Sequence, residues 1–349
     1  VKSFAVALLA AMAALAVLLS VAWMAGEPPL RLLAILVRGS VGSRYALEST
    51  LLKSVPLLLT GLSVAVAFRA GVWNIGGEGQ FIIGALAAFV AARHGGPFAL
   101  PLAIVAACIG GGAWAAIAAL MRVGRNAPEV LTTILLNFVA IHLLGYAVNG
   151  PLQEVGGSFP QTPAIADSAA LPMLGSSNVH AGLFIAIIAA IGCWWLLYRT
   201  AAGLRFRAAG YNASAARFAG INVDRQLVAA MATSGAIAGL AGGVELLGVT
   251  HRLYESVAAG YGYSGIAVAL LAQLHPLATI ASAAFFGALS SGAGELQRSA
   301  GISSSVATLG QAVVILTLIL FSSLSRRRIV RRATDDSTTT SGPAAAAES

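Results

Sequence analysis

The sequence predicts an all-α polytopic membrane protein of about ten transmembrane helices, and three observations carry that reading. Of 349 residues, 58% are hydrophobic and only 10% charged, too few charges to cover a water-soluble globule of this size. Apolar runs of about 20 residues, the length that crosses a bilayer core about 30 Å thick, recur from residue 4 to residue 324. The third observation is punctuation: the runs are separated by short polar, Gly-rich or Pro-rich stretches, so each is a separate crossing.

The first run, residues 4 to 25, is longer than the roughly 7 to 15 residues of a signal-peptide core and reads as a retained helix. Spans follow near 49–68, 76–92, 99–121 and 128–148. A long loop, 149–180, is rich in Pro, Ser and Gly and has no Lys or Arg. The second set lies near 181–198, 226–249, 262–274, 276–293 and 303–324. The run RRRIVRR at 326–332 places the C-terminus in the cytoplasm, because cytoplasmic flanks carry the excess of Lys and Arg. Ten crossings then put the N-terminus there too. Under this topology 14 of the 21 basic residues are inside and 7 outside, and the long uncharged loop falls outside. Residues 1–333 form one membrane domain, and 334–349, without apolar periodicity, a disordered cytoplasmic tail. The expected location is the cytoplasmic membrane, multi-pass.

Spans two to five and seven to ten form two four-helix units. An odd number of crossings separates their starts, so they run in opposite directions, as inverted repeats do. In each unit a Gly-rich stretch joins the first two spans: GVWNIGGEGQ at 71–80 and GYGYSG at 260–265. Gly76, Gly77, Gly79, Gly260, Gly262 and Gly265 are the candidate backbone breaks. Non-helical backbone at membrane depth is tolerated only against protein or water, which makes Asn74, Glu78 and Gln80 candidates for the wall or gate of a hydrated path. A plain turn with Glu78 near a helix start, where a negative charge suits the dipole, accounts for the residues equally well. A third reading has Glu78 held by Arg69 as a brace. Asn137, inside an apolar span, is a further candidate path residue, or a helix-to-helix hydrogen bond worth on the order of 0.6 kcal/mol.

The segment from Arg199 to Arg225 holds five arginines. Within it Asn212 can cap a short helix running through Ala215, Ala216, Arg217, Phe218 and Ala219 and ended by Gly220. That is a plausible knob for another protein, or else a set of arginines that only enforces topology. Several chemistries find no support. The five histidines are scattered without paired spacing, so no metal is expected. Cys108 and Cys193 sit in apolar runs as small hydrophobes. Glu245 and Glu295, near outer helix ends, read as wetted, and Glu129 after Pro128 as a dipole partner. The net charge of +8 is in large part a topology signal, and no nucleic-acid partner is expected.

NIGGEGQ (74–80), NAPEVLTTILLNFVA (126–140), TAAGLRFRAAGYNASAARFAGI (200–221) and GYGYSGIAVALLAQLHP (260–276) together resemble, in order and spacing, the permease subunits of bacterial ABC importers for nucleosides and simple sugars. The resemblance covers roughly residues 45–324; Gly77 stands where members of that family often have Ala. It implies one of two membrane subunits, copy or paralogue, forming the path for a nucleoside or simple sugar. It also implies cytoplasmic ABC ATPase subunits docked on the loop around Asn212, Ala215, Ala216, Arg217, Phe218 and Gly220, and an extracytoplasmic substrate-binding protein. The chain itself is no ATPase: a Walker A loop needs Gly-Lys-Ser/Thr, and its only lysines are Lys2 after Val1 and Lys53 after Leu52. No cofactor is expected. A proton- or sodium-coupled carrier working alone, with Glu78 as its titrating group, and a permease for branched-chain amino acids are the alternatives.

Overall fold

The computed structural model describes residues 28–157 and 159–301 together with Met12, Ala16, Ser20, Ser305, Leu309, Ala312 and Val313. Apart from those single positions, the expected spans at 4–25 and 303–324, the RRRIVRR run and the tail lie outside the described residues. Helices account for the architecture. Among the described residues the β pairing amounts to two isolated bridges, Gln161 with Tyr254 and Met173 with His180.

Eleven α-helices are labelled in chain order: α1 Pro29–Val41, α2 Arg44–Arg69, α3 Gly77–His94, α4 Ala99–Arg125, α5 Glu129–Val148, α6 Gly182–Arg199, α7 Ala201–Tyr211, α8 Ala213–Phe218, α9 Val223–Glu245, α10 Tyr261–Leu271 and α11 Pro276–Ala300. Six helical stretches among the described residues are long and apolar enough to cross a membrane: α2, Gly96–Arg125, α5, α6, Val223–Thr250 and α11. A π-helical turn, Leu246–Thr250, extends α9.

Contacts at the helix ends show how the elements alternate in direction. Arg44 at the start of α2 bonds Ser176 in the long loop, and Arg252 after α9 pairs with Glu154 in the same loop, so these lie at one end of the bundle. At the other end Arg69 closes α2 by donating to the carbonyls of Gln273 and Leu274, and Gly71 packs on Gly210 of α7. With 26 residues, α2 is about 39 Å long at 1.5 Å per residue, enough for the core and both interfaces.

Small residues let the backbones meet. A Cβ on Gly239 of α9 would collide with Ala107 O and Gly111 of α4, and one on Gly84 of α3 would collide with Gly239. Helices in lipid have no hydrophobic drive to associate, so this close van der Waals packing supplies the cohesion. The three helices form the centre of the core, with Phe81, Phe89, Ala103, Ala107, Met231 and Ala241 buried.

Two helices were not anticipated. The stretch PLRLLAILVRGSV, 13 residues long, lies between the first two expected spans and is too short to cross a bilayer; it folds as α1 and packs on α11. Ser40 donates to Ala288 O at 2.7 Å and Ser291 to Gly39 O at 2.9 Å, while Leu32 and Leu36 are buried and Leu30, Val37 and Val41 exposed. The other is α7, whose first N–H groups are capped by Thr200 accepting from Gly203. The expected span 262–274 is shorter than a crossing: α10 has 11 residues, a rise of about 16 Å. Its start therefore lies well inside the bundle.

Candidate functional site

After α2 the chain turns back on itself. Gly71 takes the left-handed conformation, φ 77°, Gly71 N–H bonds Phe68 O and Val72 N–H bonds Ala67 O, the Schellman closure that a helix makes with a terminal glycine. Residues 72–75 then run without regular structure, Gly76 turns at φ −82° and ψ 7°, and α3 begins at Gly77. Burial alternates along this segment: Val72 and Asn74 are buried while Trp73 is exposed.

Asn74 and Gln80 hold one another by two reciprocal amide bonds of 2.9 Å. Asn74 Nδ2 also donates to Ser234 Oγ at 2.8 Å, and its Oδ1 accepts from Gly76 N–H. Ser234 in turn donates to Ser63 O, so α2, the break and α9 are stitched in one layer. Asn137 of α5 does the same from the other side: its Oδ1 accepts from Gly79 N–H at 2.8 Å, and its Nδ2 donates to Ile75 O and to Tyr263 Oη. Thr133 Oγ1 accepts from Ile75 N–H. All four candidate path residues are buried: Asn74, Glu78, Gln80 and Asn137.

Glu78 connects the two breaks. Its Oε1 accepts from Gly260 N–H at 2.9 Å and its Oε2 from Gly262 N–H at 2.8 Å, so the carboxylate caps the N-terminus of α10, where the helix dipole favours it. Arg69, the brace that sequence suggests, lies elsewhere, on the carbonyls of Gln273 and Leu274. The reading of Glu78 as Arg69's partner is thus corrected: amides at a helix start replace the guanidinium. Glu245 departs from expectation as well, since it is buried where sequence reads it as wetted.

Of the six glycines expected to break the backbone, Gly77 and Gly79 lie inside α3 and Gly262 and Gly265 inside α10, so that expectation is corrected for these four and the interruptions fall just before them. Gly260 takes a left-handed conformation, φ 80°. The others permit close approach: a Cβ on Gly77 would sit 3.3 Å from Gly262 O, one on Gly262 would strike the Glu78 backbone, one on Gly265 would press Thr60, and one on Gly79 would crowd Asn137. Gly76 fits against the Gln80 and Asn74 amides. Sequence reasoning missed Ser63, Thr133, Ser234 and Tyr263. Their signal was weak, isolated hydroxyls inside apolar runs, and their partners come from other helices.

The segment from Thr200 to Asn222 projects from the Arg69 end. Asn212 Oδ1 accepts from Ala215 N–H, α8 ends with Gly220 at φ 79°, and Asn222 caps α9 through Arg225 N–H. Phe218 is 94% exposed while Ala216 packs inward, and Arg217 pairs with Asp224. The cap and the terminal glycine stand where the spacing puts them, with α8 one residue shorter than expected.

A family model described as branched-chain amino acid transport system, permease component, matches residues 46–322. The chain is 34% identical to the glucose ABC transporter permease protein TsgB13 of Haloferax volcanii, over 85% of this chain and 88% of that protein. It is 33% identical to the guanosine ABC transporter permease protein NupP of Bacillus subtilis, over 80% of this chain and 82% of that one. With the nucleoside ABC transporter permease protein NupB of Lactococcus lactis the identity is 30%, over 73% and 74%. No solved structure matches it significantly.

Proposed function

The chain belongs to the family of branched-chain amino acid transport system permease components, and on that premise we propose that it forms the path of an ATP-driven importer for a nucleoside, with a simple sugar as second substrate class. It is a multi-pass membrane permease subunit, and ATP hydrolysis belongs to a separate subunit. The observation that carries the substrate class is the similarity to permeases named for guanosine and nucleosides over most of both chains.

In this reading α2–α5 and α9–α11 belong to two inverted units. After α2, and again after α9, the chain doubles back and a new helix starts at depth, and the two starts touch at Gly77 and Gly262. Transporters use such paired discontinuous helices for alternating access, one unit rocking against the other. In this reading Asn74, Gln80 and Asn137 keep the first break rigid, and Glu78 is the gate's latch, releasing or holding the α10 start. The Arg69 end faces the cytoplasm, where the loop around Asn212, Ala215, Ala216, Arg217, Phe218 and Gly220 docks on an ABC ATPase. A second permease subunit and an extracytoplasmic binding protein complete the assembly.

The test is uptake of labelled guanosine, ribose and glucose by proteoliposomes holding the chain with its second membrane subunit and ATPase, with binding protein added outside. Guanosine uptake that needs both ATP and binding protein is the expected result. Uptake driven by a proton or sodium gradient without ATP would replace the importer reading with a lone carrier.

A further inference from the structure

The side chains that sequence marks as path residues are all turned inward, so the surface a solute meets must be made by others. We infer that the outward side of the first break, Trp73 and Ile75, together with Tyr263 at the start of α10, is a wall on which the flat ring of a nucleobase stacks during passage. This inference rests on the proposed importer reading and names the part of the solute that the path recognises.

The backbone argues first. Residues 72–75 are non-helical, and Asn74 lies back at the level of Ser63 of α2, both bonded to Ser234. Neither the N–H nor the C=O of Trp73 hydrogen-bonds to another described residue. Lipid cannot satisfy such groups, so non-helical backbone at this depth faces protein or a water-filled space. Trp73 is 57% and Tyr263 41% exposed, beside neighbours such as Val72, Asn74 and Gly262 that are buried. The open side of the break is therefore a place for water and solute, or for another protein surface.

The side chains on that face specify the solute. The Trp73 indole rests on Phe68, with ring centroids 4.7 Å apart, which limits its rotation. The Tyr263 hydroxyl accepts from Asn137 Nδ2, and Asn137 also holds Ile75 and Gly79, so the Tyr263 ring is positioned by a residue that holds the break and the Trp73 ring by the last turn of α2. The wall's three side chains carry no charge, and the neighbouring Glu78 carboxylate is buried, its oxygens taken by the α10 amides. The wall's polar neighbours spend their bonds on the protein: Asn74 on Gln80 and Ser234, Asn137 on Gly79, Ile75 and Tyr263. What the side chains present is aromatic face, beside the unbonded N–H and C=O of Trp73. A free sugar leaving water needs replacements for its hydroxyl hydrogen bonds, whereas any nucleobase offers a π-face to an aromatic ring. The wall suits the base.

The experiment uses the complete transporter in proteoliposomes, with Trp73→Phe, Trp73→Leu and Tyr263→Leu, reading ATP-driven guanosine uptake and the amount of inserted protein. Trp73→Phe should stay within about threefold of the parent, while Trp73→Leu and Tyr263→Leu should lose about tenfold or more at equal insertion. Parental guanosine uptake in Trp73→Leu would overturn the stacking wall. If the parent itself moves glucose or ribose but not guanosine, the nucleoside reading has failed, which is a separate outcome and takes the wall's ligand with it. Should the Leu variants not insert, a Trp73→Cys chain with Cys108 and Cys193 replaced by Ser decides by thiol labelling. Protection by guanosine supports the wall; no protection, or a disulfide joining two copies of the Trp73→Cys chain, assigns this face to a subunit interface and overturns it.

Discussion

Glu78 is placed where a carboxylate is costly, inside a helix bundle built for lipid, and it is tolerated because two N–H groups point at its two oxygens. Both oxygens accept. A Glu78→Gln change keeps the shape but must set an NH2 group against either Gly260 or Gly262 N–H. One buried donor then goes unpaired, at about 1–3 kcal/mol. Glu78→Ala leaves both unpaired and empties the site. We therefore expect the Gln variant to lower the melting temperature of the detergent-solubilised protein measurably and the Ala variant to lower it further, with uptake falling in the same order. Equal, parental melting of all three would show that the α10 start does not depend on this cap.

Two segments behave as elements with their own chemistry. The loop 149–180 straps the end of α9: Thr162 N–H bonds Leu253 O, Ile165 N–H bonds His251 O and Leu171 N–H bonds Leu247 O. His180, at the end of the strap, is buried against Gly182 and Gly248, and its Nδ1 accepts from Gly182 N–H. Burial, and secondarily the neighbouring His251, push its pKa down to about 4. Unfolded, the imidazole titrates near 6.5, so between pH 6.5 and 4 the unfolded chain binds a proton that the folded chain refuses. The stability His180 contributes is intact above pH 6.5 and drains away as pH falls toward 4. Thermal melting across that window should decline less steeply in His180→Asn than in the parent; identical slopes would remove His180 as the cause. At the opposite end, α8 offers Phe218 to the solvent, so Phe218→Asp should leave folding untouched and abolish ATP-coupled uptake. Gly220→Pro, at a left-handed position that proline cannot adopt, should uncouple hydrolysis from uptake by distorting the same loop. Normal coupled uptake in both variants would dismiss the docking role.

At the scale of the whole molecule, the two ends of the bundle are distinguished by charge and by what they carry. The proposed orientation puts Phe218 in the cytoplasm and Val155, which is 99% exposed in the long loop, outside. A membrane-impermeant thiol reagent on intact cells, in a chain lacking Cys108 and Cys193, should label Val155→Cys at once. It should reach Phe218→Cys only after permeabilisation. The reverse pattern would invert the topology and move the coupling segment to the wrong side for an ATPase.

The membrane class, the positions of most spans and the capped helix after Asn212 were legible in sequence because they follow from local quantities: apolar length, basic flanks, and cap residues a few positions from the groups they satisfy. The two Gly-rich stretches stood out because their glycines come with polar residues between apolar runs; glycine alone is no break, since Gly110, Gly111 and Gly112 run unbroken through α4 and Gly242 and Gly243 through α9. What those breaks do was decided by tertiary structure. Glu78 has Gly260 and Gly262 as partners from 182 and 184 residues away, while Arg69, nine positions back in the chain, looked the natural choice and bonds carbonyls beyond α10 instead. Asn74 meets Ser234 and Asn137 meets Gly79 only because α9 and α5 pack on the break. A polar residue in an apolar run announces that it needs a partner. Which partner satisfies it, and so whether its side chain faces inward or toward the solute, depends on helices brought together across the bundle, and no spacing along the chain encodes that.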